Sequence, residues 1–301
     1  MNYRQPIYTK RWRVAAITAL LILPLLLYTQ LHFLRPPRTN LEMTLFQGIA
    51  YKREAHFTPR PYMLHIVTID LTAPGIGVFV TPGISNPDQG ETIARTTSEF
   101  IKAFKLQLAV NANYFHPFHE HSPWNFYPHS GDKVNAVGQA ISRGLIYSEA
   151  QSKWPVLCFD ASNRAQILES GECPPSTVQG VAGKPMVMIR GTPVPESSEE
   201  QRPYPRMAAA IDRQGQTLWL IAVDGKQPFY SEGVTLAELS EIALKLGAYT
   251  ALNLDGGGST TLVMANRSGV QVLNAAIHTK LPMRQRPVVN HLGFFARLPE
   301  N

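Results

Sequence analysis

The chain has 301 residues, 44% of them hydrophobic and 17% charged, which is enough for one large domain or two small ones. The formal net charge is +6, yet six basic residues (Arg4, Lys10, Arg11, Arg13, Arg35 and Arg38) precede the first acidic residue, Glu42. The rest of the chain balances 22 basic against 22 acidic residues. A neutral body gives no electrostatic footprint for a polyanion, so nucleic acid is excluded as a partner.

The basic excess brackets an apolar run from Val14 to Leu34, about the ~20 residues a helix needs to cross a bilayer. Four basic residues precede it and two follow. This predicts a single-pass anchor at 14–34, with a short cytoplasmic tail at 1–13 and the body in the periplasm or outside the cell. Tyr28–Phe33 carries no small-x-small cleavage pattern, which argues against a removable signal peptide. Residues 35–45, opening on Pro36 and Pro37, read as a linker, and 46–301 as one domain. In an oxidising compartment Cys158 and Cys173 are expected to close a small loop, for a gain of about 3 kcal/mol.

Within the body, 46–54, 62–71 and 77–81 read as strands between Pro and Gly breaks. The alternation His65-Ile66-Val67-Thr68-Ile69-Asp70 predicts one wet face. Residues 91–104 are predicted as a helix with Ile93, Thr97, Phe100, Ile101 and Phe104 on one side. A buried strand at 106–110 then runs into Asn111-Ala112-Asn113-Tyr114-Phe115. From His116 to Asn135 follows a long polar and aromatic loop with four histidines. Their irregular spacing does not match metal-ligand patterns. Aromatics beside polar side chains suit stacking on a sugar, and a loop this long is more often functional than idle.

Further strands are predicted at 139–147, 154–159, 165–168 and 185–189, with a glycine-bounded turn at 180–183 and a solvated charged loop at 196–202. Residues 204–212 and 218–223 read as a hairpin ending at Asp224-Gly225-Lys226. The helix at 235–246 is marked by a capping box, Thr235 with Glu238, by the apolar stripe Leu236, Leu239, Ile242, Ala243 and Leu246, and by the stop Gly247.

That helix leads into a strand at 249–254 and then into Asp255-Gly256-Gly257-Gly258-Ser259-Thr260-Thr261. Three glycines at a strand end are costly in backbone entropy. They allow backbone N–H groups to converge on an anion, and a tight turn between strands is the architectural alternative. No lysine follows and the G-x-G-x-x-G spacing is lacking, so this is not a nucleotide-binding loop of either common kind. A last hairpin at 261–265 and 270–273 and the segment 286–295 complete the chain. Many strands and two good helices predict an α+β domain on a mostly antiparallel or mixed sheet.

In order and spacing, Asn111–Phe115, Pro205-Arg206, Val223-Asp224-Gly225, the capped helix, Asn253–Thr260 and Arg286-Pro287-Val288-Val289-Asn290 make the chain resemble the phosphodiester glycosidase family over 60–297. It departs from the usual pattern in having Asn111-Ala112-Asn113 for Asn-Gly-Gly and Met207 for Thr. The resemblance implies hydrolysis of a glycosyl-1-phosphodiester to free sugar and phosphomonoester. Bacterial relatives are labelled exopolysaccharide biosynthesis proteins, which implies a role at the cell surface.

Such a reaction needs a phosphate anchor and a carboxylate at C1. Arg206 suits the anchor, because a guanidinium grips two phosphate oxygens in a planar fork. Gly256, Gly257 and Gly258 with Ser259 and Thr260 are expected to complete the phosphate site. Asp255 is the first candidate for the catalytic carboxylate and Asp224 the second. Asn111 and Asn113 are candidates for holding sugar hydroxyls, with Asn290 and His291 behind them. Each also has an architectural explanation: a turn cap for Asp255, a turn pair for Asp224-Gly225, an ion pair for Arg206, backbone satisfaction for the asparagines. No cofactor is expected, with a divalent cation left open. A membrane-tethered, non-catalytic carbohydrate-binding protein in polysaccharide assembly or export is the alternative function.

Overall fold

The structure is a computed structural model and describes residues 7–84, 90–195 and 202–299. The first six residues of the expected tail and nearly all of the charged loop at 196–202 lie outside the described residues. The body is an α+β domain built on three antiparallel sheets. The largest sheet has eight strands in the order Leu41–Phe46, Ile49–His56, Tyr62–Asp70, Thr217–Val223, Arg206–Ile211, Thr250–Asn253, Met186–Ile189 and Thr192–Pro193. A five-stranded sheet runs Gly269–Val272, Leu262–Asn266, Leu108–Asn111, His291–Phe295 and Gly77–Val80. A second five-stranded sheet contains Val156–Asp160 and Thr177–Ala182. Gly180 lies inside the latter strand, so the predicted glycine turn at 180–183 is instead mostly extended backbone.

The layers follow from which side chains each strand sends to which face. Val67, Ile69, Leu218, Leu220, Ala209 and Leu252 point from the large sheet into one core with Leu108, Val110, Leu292, Phe294, Leu157 and Phe159 of the smaller sheets. Their neighbours Ile66, Ile221, Val223, Ala208 and Ala251 pack on the opposite face against Leu236, Leu239 and Ile242. The helix Leu236–Lys245 therefore covers that face, and its capping box forms as the sequence predicts. A second helix, Thr97–Phe104, covers the outer face of the five-stranded sheet through Phe100 and Ile101.

Four expectations change. The second helix starts at Thr97, where Thr96 and Glu99 form a capping box of their own, because Thr92–Ile93 pairs as a strand with Lys133–Ala136. The strand read as half wet is wet only at its far end, where Thr68 is half-buried and Asp70 exposed; His65 is 0% exposed and packs among polar partners. The polar loop at 116–135 contains a hairpin, His119–Ser122 with Asn125–Tyr127. The segment 35–45 is not a free linker, since Leu41–Phe46 is an edge strand of the large sheet. Just before it, Arg38 Nη1 donates to the Phe229 carbonyl oxygen (2.7 Å) and Arg53 Nε to that of Thr39 (2.9 Å). The bridge Cys158–Cys173 is formed and ties a core strand to the loop before Thr177.

At the amino end, Ile7–Phe33 is one helix. Trp12–Phe33 is apolar, lies outside the packed body, and is long and apolar enough to cross a membrane.

Candidate functional site

The strand Thr250–Asn253 lies between Arg206–Ile211 and Met186–Ile189, and it delivers Leu254 and Asp255 to one end of the large sheet. A short 3-10 turn, Gly257–Ser259, follows. Each glycine of the run has a close neighbour where a side chain would begin. A Cβ on Gly256 would lie 2.7 Å from the Pro205 carbonyl oxygen, and one on Gly257, at φ +61°, 2.8 Å from the Tyr204 ring. A Cβ on Gly258 would lie 2.4 Å from Arg286 Nη2. The run is thus a seat for an arginine and a tyrosine.

One amide of the run and the two that follow it are also committed. Gly257 N–H donates to the Pro205 carbonyl oxygen (2.8 Å), Ser259 N–H to that of Gly256 (3.1 Å) and Thr260 N–H to that of Gly257 (3.3 Å). Three of the five amides of the expected cradle are therefore held within the protein, and cationic side chains line the space beside them. A cavity of about 430 Å³ opens over the turn, lined by Arg206, Lys226, Arg286, Asp255, Glu120, Gly256 and Gly257 with the rings of Tyr114, Phe115, Phe118 and Tyr204. Three cations against two carboxylates leave its lining positive. Its size suits a monosaccharide carrying a phosphate, and its rings suit stacking on a sugar face.

Asp255 is 9% exposed. Burial pushes its carboxyl up to about 6, against the opposing pull of the Arg286 charge and a hydrogen bond from Ser259. Such a group is ionised at neutral pH yet basic enough to take a proton from water. Arg286 Nη1 donates to Ser259 Oγ (3.1 Å), and its Nη2 pairs with the Glu120 carboxylate. Glu120 also lies 3.2 Å from His278 Nδ1, and that contact, with the Arg286 charge, holds its carboxyl down at about 2. Burial lowers the His278 pKa, so the ring is neutral at pH 7, and its Nε2 has no hydrogen-bond partner. Lys226 Nζ sits 4.2 Å from the centre of the Tyr204 ring and the Arg206 guanidinium 5.7 Å from it, so one aromatic face gathers two of the cations.

Of the residues singled out from sequence, Asp255, Arg206, Gly256 and Gly257 line this cavity. Gly258, Ser259 and Thr260 lie behind it. Asp224 is buried elsewhere, 1% exposed, and its oxygens are filled by His65 Nε2 (3.0 Å), Asn274 Nδ2 (3.0 Å) and Ala275 N–H (2.8 Å). It serves as a clamp between the large sheet and the 274–275 segment.

Asn111 braces the glycine turn, its Nδ2 donating to the Asp255 carbonyl oxygen (2.6 Å) and its Oδ1 accepting from Thr261 N–H (3.0 Å). Asn113 and Asn290 bond one another (3.0 Å), and Asn113 Oδ1 also accepts from Ala182 N–H (3.1 Å). His291 stacks on Phe100 with centroids 4.6 Å apart, and burial lowers its pKa to about 3. These four are fully buried supports.

Sequence reasoning passed over Arg286, Glu120, Lys226, Tyr204 and His278 as site residues. The signals were there: Arg286 opens a motif used for the resemblance, Glu120 sits in the polar aromatic loop, and Lys226 follows Asp224-Gly225. Among the described residues no group of three or more histidine, cysteine or acidic side chains is placed to hold a metal ion.

The architecture recurs in solved proteins. A hypothetical protein from Synechocystis superposes with a TM-score of 0.63 at 16% identity, over 87% of this chain and 64% of that one. The catalytic domain of zebrafish N-acetylglucosamine-1-phosphodiester alpha-N-acetylglucosaminidase, auto-inhibited by its pro-peptide, superposes at 0.59 and 16% identity, over 86% and 88%. At such identities these matches define the fold. Residues 104–295 match the phosphodiester glycosidase family model, and the chain belongs to that family. The bovine N-acetylglucosamine-1-phosphodiester alpha-N-acetylglucosaminidase is 46% identical over 59 residues, which is 20% of this chain and 11% of the bovine protein.

Proposed function

We propose that the protein is a membrane-anchored, extracytoplasmic hydrolase that cleaves a glycosyl-1-phosphodiester, releasing free sugar and a phosphomonoester, in cell-surface polysaccharide or glycoconjugate metabolism. The observation that carries this is the meeting of a buried, basic carboxylate, Asp255, with three cations in one ring-lined cavity. In this scheme Arg206, Lys226 and Arg286 hold the phosphate, and Tyr114, Phe115 and Phe118 face the sugar. The C1–O bond breaks with its electron pair moving onto the phosphate oxygen, and positive charge develops at C1. The phosphate leaves well without protonation. Asp255 accepts a proton from the water that adds to C1, and that proton then passes to solvent.

Glu120 holds Arg286 and neutral His278 in place. Asp224, proposed from sequence as a second carboxylate, acts as a positioning residue through the clamp on Asn274 and Ala275. Segments 1–13 and 14–34 serve as tail and anchor, and the catalytic domain, expected over 46–301, also takes in the edge strand that opens at Leu41.

The test is hydrolysis of a panel of glycosyl-1-phosphodiesters in ¹⁸O-water by the full chain. Label in the released sugar is expected. Label in the phosphate would mean a phosphodiesterase, and binding of the panel without turnover would support the carbohydrate-binding alternative.

A further inference from the structure

A second cavity, of about 420 Å³, lies beside the first and shares Glu120 and Lys226 with it. Gly257 faces the first and Gly258 the second, so the two meet at the glycine turn. The far wall of the second cavity is built by Tyr28, His32 and Arg35, from the last turns of the apolar helix and the residues just after it. Tyr28 belongs to the span that is long and apolar enough to cross a membrane. A group that leaves the cationic site through this cavity therefore arrives alongside the membrane helix, at the depth of the bilayer surface.

The protein surface around this exit has the chemistry of a membrane interface. Phe33, Trp124 and Phe229 are 87%, 83% and 89% exposed. Phe229 is held through its carbonyl by Arg38, whose guanidinium lies 4.6 Å from the exposed Phe57 ring. Arg284 Nη1 joins the carbonyl of Pro123, beside Trp124, to Thr279 Oγ1 in the wall of the second cavity. Exposed aromatics interleaved with Arg35, Arg38, Lys280 and Arg284 match the aromatic and basic belts that settle at headgroup level.

We infer that the aglycone of the substrate is a membrane lipid, whose phosphate is esterified to C1 of a sugar and whose chain runs from the cationic cavity through the second cavity into the bilayer. This rests on the glycosidase activity proposed above. In the reaction water supplies the oxygen that becomes the C1 hydroxyl. The C1–O bond breaks onto the phosphate, the displaced proton goes to solvent, and the lipid phosphomonoester stays in the membrane while the sugar diffuses away.

The test uses the full chain in phosphatidylcholine vesicles and three substrates with one sugar: a methyl, a polyprenyl and a diacylglycerol glycosyl phosphodiester. At least one lipid substrate is expected to exceed the methyl diester in kcat/KM by about tenfold or more, since each buried methylene is worth several-fold in affinity. The faster of the two identifies the lipid class. Lys280 is exposed at the rim of the second cavity, and Lys280→Glu is expected to lower the lipid-to-methyl ratio about threefold or more, through repulsion of the incoming phospholipid. A methyl diester cleaved as fast as both lipids, or an unchanged ratio in Lys280→Glu, overturns the lipid assignment and leaves the glycosidase standing. Cleavage of none of the three overturns both.

Discussion

Replacing Asp255 by Asn separates chemistry from stability in a way the structure makes quantitative. Burial raises the carboxyl from its ordinary 3.8 to about 6. The folded state therefore holds a proton that the unfolded chain gives up between about pH 4 and about pH 6, and wild-type stability falls as pH rises through that window. At about 1.4 kcal/mol per pH unit, ionising Asp255 in place costs about 3 kcal/mol at neutral pH. Asn mimics the neutral acid and escapes that cost. The variant is expected to lose hydrolysis by about 10²-fold or more, yet to be about 3 kcal/mol more stable than wild type above about pH 6. Below about pH 4 the difference should vanish. Urea unfolding of the detergent-solubilised full chain, followed by the fluorescence of its four tryptophans, reads this at a series of pH values. Equal stability of the two proteins at pH 7 would refute the claim that Asp255 is held ionised against its surroundings.

The same carboxyl sets the pH profile: kcat/KM should rise with pH through about 6, the direction that ionises a base raised by burial. Arg286→Lys keeps the charge but cannot reach Ser259 and Glu120 together, so activity should fall by about tenfold or more in a steady-state assay, with thermal unfolding little changed. Glu120 behaves oppositely to Asp255. Its pKa is lowered to about 2, so its contribution is present above about pH 4.5 and lost as pH falls toward 2. Partial exposure trims it to about 1 kcal/mol, measurable as the pH-dependent stability gap between wild type and Glu120→Gln. Asp224→Asn keeps an acceptor oxygen for Asn274 and Ala275 but loses the charge and sets an amide donor against His65 Nε2, and should cost about 2 kcal/mol of stability in denaturant unfolding. The pH at which its residual activity turns on should not move.

Local rules that act within a few residues were legible in the sequence. Thr235 and Glu238 announced a helix start because both partners of a capping box lie three residues apart. The 206–211 and 217–223 hairpin showed in its apolar runs, and Asp255 stood out because a strand, an acid and three glycines adjoin. What escaped depends on segments far apart in the chain. Nothing near Gly258 says that Arg286 will lie against it, or that Glu120 will arrive from a hairpin to pair with that arginine.

His65 alternates with apolar neighbours and so mimics a surface residue. It is buried because a helix covers one face of the large sheet and two sheets cover the other. Asn111, Asn113 and Asn290 misled for a related reason: buried amides that satisfy backbone look, in one dimension, like amides waiting for a sugar.

The segment between the apolar helix and the first strand has a mechanical consequence. The Tyr230 hydroxyl donates to the Pro36 carbonyl oxygen (2.9 Å), Arg38 is bonded to Phe229, Thr39 to Arg53, and Asn40 Oδ1 accepts from Ala55 N–H (2.9 Å). A protease must draw several residues out into an extended strand before it can cut, and here such a stretch exists only after four separate attachments let go. Proteolysis at this neck, between the helix and the body, thereby waits on release of those attachments.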